Sequence, residues 1–176
     1  MIFMKRLFFV LVLAAAGLAV SAQESVVKWY SIEEAVALAA KSPRPIFVDA
    51  YTDWCGWCKK LDKDTFSNPV IAEILNNKYY AVKFDAEGKE PVIFQGRKFV
   101  NDGSLGKTHQ LAYALLRGRL GYPTVVFLTA NSELITSVSG YQTPAQIEPW
   151  LIYYAGTSWQ KQSYDDFFKT FTPKVR

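Results

Sequence analysis

The chain has 176 residues, about the length of one domain. Half of the residues are apolar and 20% are charged, a balance that excludes an intrinsically disordered protein and one with many membrane spans. The net charge is only +4 and no basic run interleaves with aromatic residues, so nucleic acid is not an expected partner. The 2 cysteines are too few for a disulfide-stapled scaffold.

Residues 1–22 have the pattern of a cleaved secretory signal peptide. Lys5 and Arg6 form a short basic region, residues 7–20 are apolar or small, and small side chains precede a cleavage point before Gln23. The apolar run is shorter than the roughly 20 residues that span a bilayer as a helix. An uncleaved N-terminal anchor or a buried helix is the alternative interpretation.

Cleavage leaves a mature protein of residues 23–176, which we expect to form a single domain outside the cytoplasm, in the periplasm. Its formal charge falls from +4 to +2, because the removed segment carries two basic residues and no acidic one.

Helices and strands are predicted to alternate through the first half of the chain. Ser31 and Glu34 form a capping box, which predicts a helix that ends near Ser42. Asn68 and Pro69 are a typical cap and first residue of another helix. Apolar runs predict strands at residues 45–51 and 79–85, and a further helix is predicted from the cysteines to about residue 66.

The second half is predicted to contain a hairpin, two antiparallel strands and three helices. The hairpin occupies residues 92–100, and Thr108 is expected to cap a helix that reaches about Arg117. Strands are expected at residues 124–129 and 133–139, and a helix that Pro149 kinks is expected at residues 143–154. A last helix at residues 163–171 is expected to place three side chains on the core: Phe167, Phe168 and Phe171. The whole order indicates one α/β domain.

The chemically informative feature is the pair Cys55 and Cys58, three residues apart at the predicted start of a helix. The free amides and the dipole of a helix N-terminus favour a thiolate over a thiol at Cys55. In this geometry the N-terminal cysteine is expected to be exposed, so Cys55 is interpreted as the attacking nucleophile. Cys58, one turn deeper, would resolve the mixed disulfide.

Two other interpretations of the cysteine pair are open. The cysteines could be half of a zinc site, which would need further ligands, and His109 is the other candidate in the chain. A helix-surface or partly buried position is the simpler interpretation of this histidine. An inert structural disulfide is disfavoured because so small a loop adds little stability. We therefore expect a redox-active pair with no metal and no organic cofactor.

The residues Trp54-Cys55-Gly56-Trp57-Cys58-Lys59 after an apolar strand, followed by Gly121-Tyr122-Pro123-Thr124 before another, resemble the thioredoxin family. The likeness spans roughly residues 32–154. The stretches at residues 48–55 and 64–70 are closer still to secreted and periplasmic members. These include the soluble C-terminal domain of the transmembrane disulfide-reductase conduit. The resemblance implies a thioredoxin-like α/β fold, with a central mixed sheet flanked by helices on both faces.

The resemblance also implies roles for individual residues. Pro123 matches the family's cis-proline beside the active-site sulfurs, and the backbone of Tyr122 would pair with an extended substrate strand. Asp49 matches the buried carboxylate that would accept the Cys58 proton, and Lys83 matches the lysine that pairs with that carboxylate. The alternatives are a trans proline at position 123, a strand-end aspartate paired elsewhere and a solvated surface lysine.

The sequence departs from thioredoxin at two places. Trp57 stands where thioredoxin has proline, so the redox potential cannot be transferred from it. Residues 88–107 form an insertion, either a rim for partner recognition or a decoration, and residues 156–176 form a C-terminal extension. Beside the cysteines, Trp54 and Trp57 are expected to form an apolar rim for substrate, with a place in the core as the alternative.

The expected function is an extracytoplasmic thiol-disulfide oxidoreductase that reduces disulfide-containing proteins. The resemblance implies a membrane electron conduit as the source of electrons, because an oxidising compartment supplies none. A thiol oxidase or isomerase on the same scaffold is an alternative. A chaperone or metallochaperone that uses the aromatic rim and the insertion is another.

Overall fold

The computed structural model describes residues 26–175, so the expected signal peptide lies outside the described residues. A mixed sheet of five strands in the order β1-β3-β2-β6-β7 organises the fold. β1, β3 and β2 are parallel, and β6 and β7 are antiparallel to their neighbours. These strands are β1 (Trp29–Tyr30), β2 (Ile46–Tyr51), β3 (Tyr80–Asp85), β6 (Thr124–Leu128) and β7 (Leu134–Ser139). The remaining two strands, β4 (Val92–Phe94) and β5 (Arg97–Phe99), form a separate hairpin.

The first helices begin where the sequence places their caps. In α1 (Ile32–Lys41) the Ser31 hydroxyl accepts the Glu34 N–H, and the Glu34 carboxylate accepts the Ser31 N–H. In α3 (Pro69–Lys78) the Asn68 side chain accepts two backbone N–H groups of the first turn. These bonds satisfy donors that a helix start leaves unpaired.

The helix that carries the cysteines has two parts. It begins as α2 (Gly56–Leu61) and continues as a π-helical turn at Asp62–Phe66. The predicted extent of this helix, to about residue 66, is therefore confirmed, and its last turn is wider than an α-helix.

Helices cover both faces of the sheet, and the alternation of side chains along β2 shows which face each helix covers. Ile46, Val48 and Ala50 lie in the core beneath α1 and α4 (Gln110–Leu115). Phe47 lies in the other core, which α2, α3 and α5 (Pro144–Ala155) cover. Successive strand residues point to opposite faces, so Asp49 belongs to the face that α2 covers.

The hairpin is built by its turn and anchored by its apolar side chains. Gln95 and Gly96 both have positive φ, at 51° and 71°, the conformation that a two-residue hairpin turn requires. Val92 and Phe94 are buried in the core beneath α1, and the Ile93 N–H donates to Glu33 Oε1 at 3.0 Å. The inserted segment is thus packed onto the domain.

The predicted start and end of α4 were wrong. His109, not Thr108, is the cap, because its Nδ1 accepts the Leu111 N–H at 3.1 Å. The helix ends at Leu115, and Arg117 and Gly118 then take positive φ values of 51° and 73°, which an α-helix cannot continue through. His109 is also more deeply placed than expected, with only 1% of its surface exposed.

The C-terminal region contains α5, which includes Pro149, a short α6 (Ser158–Lys161), and α7 (Tyr164–Thr170). The expectation that three Phe side chains of this region face the core was wrong for Phe168, which is 55% exposed, whereas Phe167 is buried. Adjacent helix residues point about 100° apart, and in α7 this turns Phe168 toward solvent while Phe167 packs against Tyr153 of α5. Within residues 26–175 no helix has the length and apolarity required to cross a bilayer.

Candidate active site

Cys55 and Cys58 are joined by a disulfide at the N-terminus of α2. Cys55 is the N-cap, and its Sγ accepts the backbone N–H of Cys58 at 3.0 Å. An amide directed at this sulfur stabilises negative charge on it once the disulfide is reduced. The structure therefore supplies a hydrogen bond for a thiolate at Cys55, in addition to the dipole of the helix.

Cys55 is not openly exposed in this disulfide form, which corrects the sequence-based expectation. The residue exposes 4% of its surface and Cys58 exposes 2%. As the helix cap, Cys55 directs its side chain back toward the first turn and binds both the Sγ and the N–H of Cys58. Only a small part of Cys55 is therefore accessible to a partner in the disulfide form.

Asp49 is fully buried on the face of the sheet that α2 covers. Lys83 is its neighbour in the register of β2 and β3, and Lys83 Nζ lies 2.5 Å from Asp49 Oδ2. Lys83 also binds the carboxylate of Asp62. Since the Asp62 N–H bonds to the Cys58 carbonyl one turn earlier, the side chains of Cys58 and Asp62 share one face of the helix. Lys83 connects this face of the helix to Asp49.

The charges of this group shift one another's protonation. Burial raises the pKa of Asp49 from 3.8 to about 6, although the Lys83 ammonium partly offsets that effect. Burial alone would lower the pKa of Lys83, but Asp49 and Asp62 together raise it. Lys83 is therefore a charged, partly buried bridge between two carboxylates, and the solvated-surface interpretation of this lysine was wrong.

Two tryptophans flank the cysteines and are exposed, Trp54 by 66% and Trp57 by 59%. The alternative that they belong to the core was therefore wrong. The Trp54 ring meets Tyr122 edge-on with centroids 6.1 Å apart, and the Trp57 ring contacts Tyr141 at 5.5 Å. A groove of about 400 Å³ runs between these pairs, lined by Trp57, Tyr122, Pro123, Gly140 and Tyr141.

The peptide bond between Tyr122 and Pro123 is cis. It immediately precedes β6, and the Pro123 carbonyl accepts the Gly140 N–H at 2.8 Å. This bond holds Pro123 beside the end of β7, so the proline forms part of the groove described above.

Both ring nitrogens of His109 make hydrogen bonds that hold the fold together. Its Nδ1 caps α4, and its Nε2 lies 3.1 Å from the Glu90 carbonyl, to which it donates because Nδ1 is an acceptor. Within residues 26–175 no group of three or more His, Cys, Asp or Glu side chains is arranged to hold a metal ion.

Sequence reasoning missed three residues of the site. Asp62 follows Cys58 by four positions, a helical spacing that could have revealed it. Glu87, whose Oε2 accepts the Trp54 indole N–H at 3.1 Å, and Tyr141 reach the site from distant loops. No local pattern marks either of these two residues.

A family model described as thioredoxin-like matches residues 28–130 of this chain. The chain belongs to the thioredoxin-like family. The fold class expected from the sequence is confirmed: a mixed sheet with helices on both faces.

The chain is similar to the thiol:disulfide interchange protein DsbD of Pectobacterium atrosepticum, with 29% identity over 114 residues. The alignment covers 64% of this chain and 17% of that protein. The chain spans less than a quarter of the length of the curated relatives it matches.

Solved structures share the fold at lower identity. A thioredoxin from Thermus thermophilus superposes with a TM-score of 0.56 and 21% identity, covering 75% of this chain and 89% of that one. The oxidised C-terminal domain of DsbD from Neisseria meningitidis gives a TM-score of 0.50 and 16% identity, covering 72% and 99%. The predicted resemblance to the DsbD domain is confirmed at the level of family and fold.

Proposed function

We propose that this chain is an extracytoplasmic thiol-disulfide oxidoreductase that reduces the disulfides of protein substrates through Cys55 and Cys58. The observation that carries the proposal is the disulfide at the start of α2, with an amide directed at Cys55 Sγ and a buried carboxylate-lysine pair on the sheet face that α2 covers. The similarity to DsbD, a thiol:disulfide interchange protein, supports the same chemistry.

The reduced dithiol acts in two steps. The Cys55 thiolate attacks one sulfur of a substrate disulfide, forming a mixed disulfide, and the other substrate sulfur leaves as a thiolate that takes a proton from water. Cys58 then transfers its proton to Asp49 and attacks Cys55 Sγ. The Cys55–Cys58 bond forms and the second substrate thiolate is released. Two electrons have passed from the dithiol to the substrate.

Asp49 suits the role of proton acceptor because burial raises its pKa to about 6. A carboxylate with this pKa binds a proton more readily than an ordinary aspartate, yet remains mostly ionised at neutral pH. Lys83 keeps the buried carboxylate paired while it is charged.

The aromatic groove is the proposed substrate site. Trp57 lines it and Trp54 packs against its Tyr122 wall, and the backbone of Tyr122, just before β6 begins, is proposed to pair with an extended substrate strand. The groove has room for an extended segment beside Trp57, the residue between the two cysteines.

The location and the electron source complete the proposal. The pattern of residues 1–22 supports secretion of a single mature domain, residues 23–176, into the periplasm. A reductase there needs a supply of electrons, and a dithiol of a membrane electron conduit is the proposed reductant. N-terminal sequencing of the protein recovered from periplasm should give Gln23, and recovery with the membrane fraction and an intact Met1 would contradict cleavage.

Insulin-disulfide reduction by the dithiothreitol-reduced protein tests the activity. We expect Cys55→Ser to abolish it and to trap no substrate, whereas Cys58→Ala should accumulate a mixed disulfide visible on non-reducing gels. Equal rates of insulin reduction by wild type and Cys55→Ser would refute the proposal. Wild-type protein that binds insulin without reducing it would also refute it and would indicate a binding module.

A redox titration of the cysteine pair tests the direction. A reductase requires a potential at or below that of the glutathione pool. A potential well above it would assign the chain to the oxidases or isomerases instead.

A further inference from the structure

Trp54 lies in the turn before α2, where it is exposed yet held in place by two contacts from distant parts of the chain. Its indole N–H donates to Glu87 Oε2 at 3.1 Å, and its ring meets Tyr122 edge-on. An exposed side chain without such contacts exchanges among several rotamers. Here the only polar atom of the indole is occupied by Glu87, so the ring presents an apolar surface toward solvent.

Glu87 is held in turn by the inserted segment of residues 88–107. The Glu87 N–H donates to Asp85 Oδ1 at 2.9 Å, and the Glu87 carbonyl accepts Asn101 Nδ2 at 2.9 Å. The same amide group of Asn101 donates to the carbonyls of Gly88 at 3.1 Å and Lys107 at 2.7 Å. Asn101 therefore joins the two ends of the insertion to Glu87.

The opposite wall of the groove is supported differently. The Tyr141 hydroxyl beside Trp57 donates to Asp64 Oδ2 at 3.1 Å, and Thr65 Oγ1 donates to the neighbouring Gln142 carbonyl at 2.7 Å. Both supports come from the π-helical turn that follows α2. Trp54 packs edge-on against the Tyr122 wall of the groove and extends it, so this is the wall that is connected to the insertion.

We propose that Glu87 is a positioning residue through which the 88–107 insertion fixes Trp54, and that this wall selects a large apolar side chain beside the substrate cysteine. The inference rests on the proposed function and names its substrate class. A wall that is fixed before binding loses less conformational entropy when the substrate arrives, so the gain is expected in substrate binding. The chemical steps at Cys55 and Cys58 do not involve Glu87.

The test compares two cyclic peptide disulfides that differ only in having Phe or Gly next to one cysteine. Glu87→Ala should raise KM for the Phe peptide roughly 2- to 10-fold, the range expected when one side chain must be ordered on binding, with little change in kcat. KM for the Gly peptide should change less. Glu87→Gln retains an acceptor oxygen and should restore the wild-type KM.

The matched control is Glu90→Ala, which removes an exposed carboxylate three residues further along the same segment. It should leave both KM values unchanged. An unchanged KM in Glu87→Ala, an equal rise for both peptides, or failure of Glu87→Gln to restore KM would overturn the proposal.

A second measurement needs no turnover and separates this inference from the proposed function. In the oxidised protein, Glu87→Ala and Asn101→Ala should move the ¹H–¹⁵N resonance of the Trp54 indole in the same direction, whereas Glu90→Ala should not move it. If wild-type protein reduces neither peptide, the proposed function fails, while a shifted resonance still supports the positioning of Trp54. A resonance that stays in place in Glu87→Ala overturns that positioning whatever the activity.

Discussion

Lys83 Nζ lies 2.5 Å from Asp49 Oδ2 between two neighbouring parallel strands, and the same ammonium binds Asp62 on the helix of Cys58. The lysine thus connects a fully buried carboxylate to one that is half exposed. Because the pKa of Asp49 is about 6, its protonation changes in the pH range where thiol chemistry is measured. Substituting this residue should therefore change both the chemistry and the pH dependence of stability.

Asp49→Asn should slow the second chemical step and spare the first. The amide cannot accept the Cys58 proton, so resolution of the mixed disulfide at pH 7 is expected to slow by about 10-fold or more. This is smaller than the largest rate losses expected when a general base is removed. The first attack by Cys55 should change by less than about 2-fold. Rapid acid quenching of a single turnover separates the two rates. Asp165→Asn, which changes an exposed carboxylate on α7, is the control. An unchanged resolution rate would rule out Asp49 as proton acceptor.

Asp49→Asn should also change how the stability of the oxidised protein depends on pH. Burial raises the pKa of Asp49 from 3.8 to about 6, so the folded state binds this proton more tightly than the unfolded state. The free energy of unfolding therefore decreases as pH rises from 3.8 to about 6, by at most about 3 kcal/mol. Urea unfolding between pH 4 and pH 8 should show this decrease in wild type and not in Asp49→Asn. Parallel curves for the two proteins would contradict it.

His109 should act on stability in the opposite sense. Burial lowers its pKa, although the Glu90 carbonyl and Asp85 act against this. The unfolded state then binds the proton more readily, so stability is lost as pH falls below the ordinary histidine value of about 6.5. Protonation would also remove the Nδ1 acceptor that caps α4.

This effect is measured best in the Asp49→Asn background, where the opposing titration is absent. The free energy of unfolding should decrease from pH 7 to pH 5, and adding His109→Asn should flatten that decrease, because asparagine can cap a helix but does not titrate. The comparison uses the slope of the free energy of unfolding against pH, because a loss of packing that is the same at every pH does not alter that slope. Equal slopes with and without His109 would refute the assignment.

Glu148 fastens the C-terminal segment to α5. This buried carboxylate accepts the Lys174 N–H at 2.8 Å and the Val175 N–H at 3.0 Å. Glu148→Gln replaces one acceptor oxygen with a donor, which should lower the free energy of unfolding by about 1–3 kcal/mol. Chemical denaturation measures the loss, with the exposed Glu73→Gln on α3 as control, expected within about 0.5 kcal/mol of wild type.

Deletion of residues 174–176 is the second change in a double-mutant cycle with Glu148→Gln. The deletion removes the donors, so Glu148→Gln should cost less in the shortened protein than in the full chain. Equal costs in the two proteins would show that Glu148 does not act through this segment.

Much of the fold was predicted from short-range signals. The capping box of Ser31 with Glu34 and the cap formed by Asn68 depend on residues at most three positions apart, so the sequence contains them completely. The strand at residues 46–51 was evident because both of its faces are covered and its residues are mostly apolar. The start of α4 was misplaced because threonine is a preferred helix cap, whereas the cap in the structure is the ring nitrogen of the next residue, His109.

The sequence by itself determined the chemistry of this protein: two cysteines one helical turn apart, at a helix start that favours a thiolate, in a chain patterned as an α/β domain. The tertiary structure alone decided how that chemistry is surrounded. Lys83 binds two carboxylates, and Glu87 binds the Trp54 indole; each of these contacts joins residues more than 20 positions apart. The burial of Cys55 likewise became evident only in the folded chain. Such contacts depend on how the sheet and helices pack, and no local spacing encodes them.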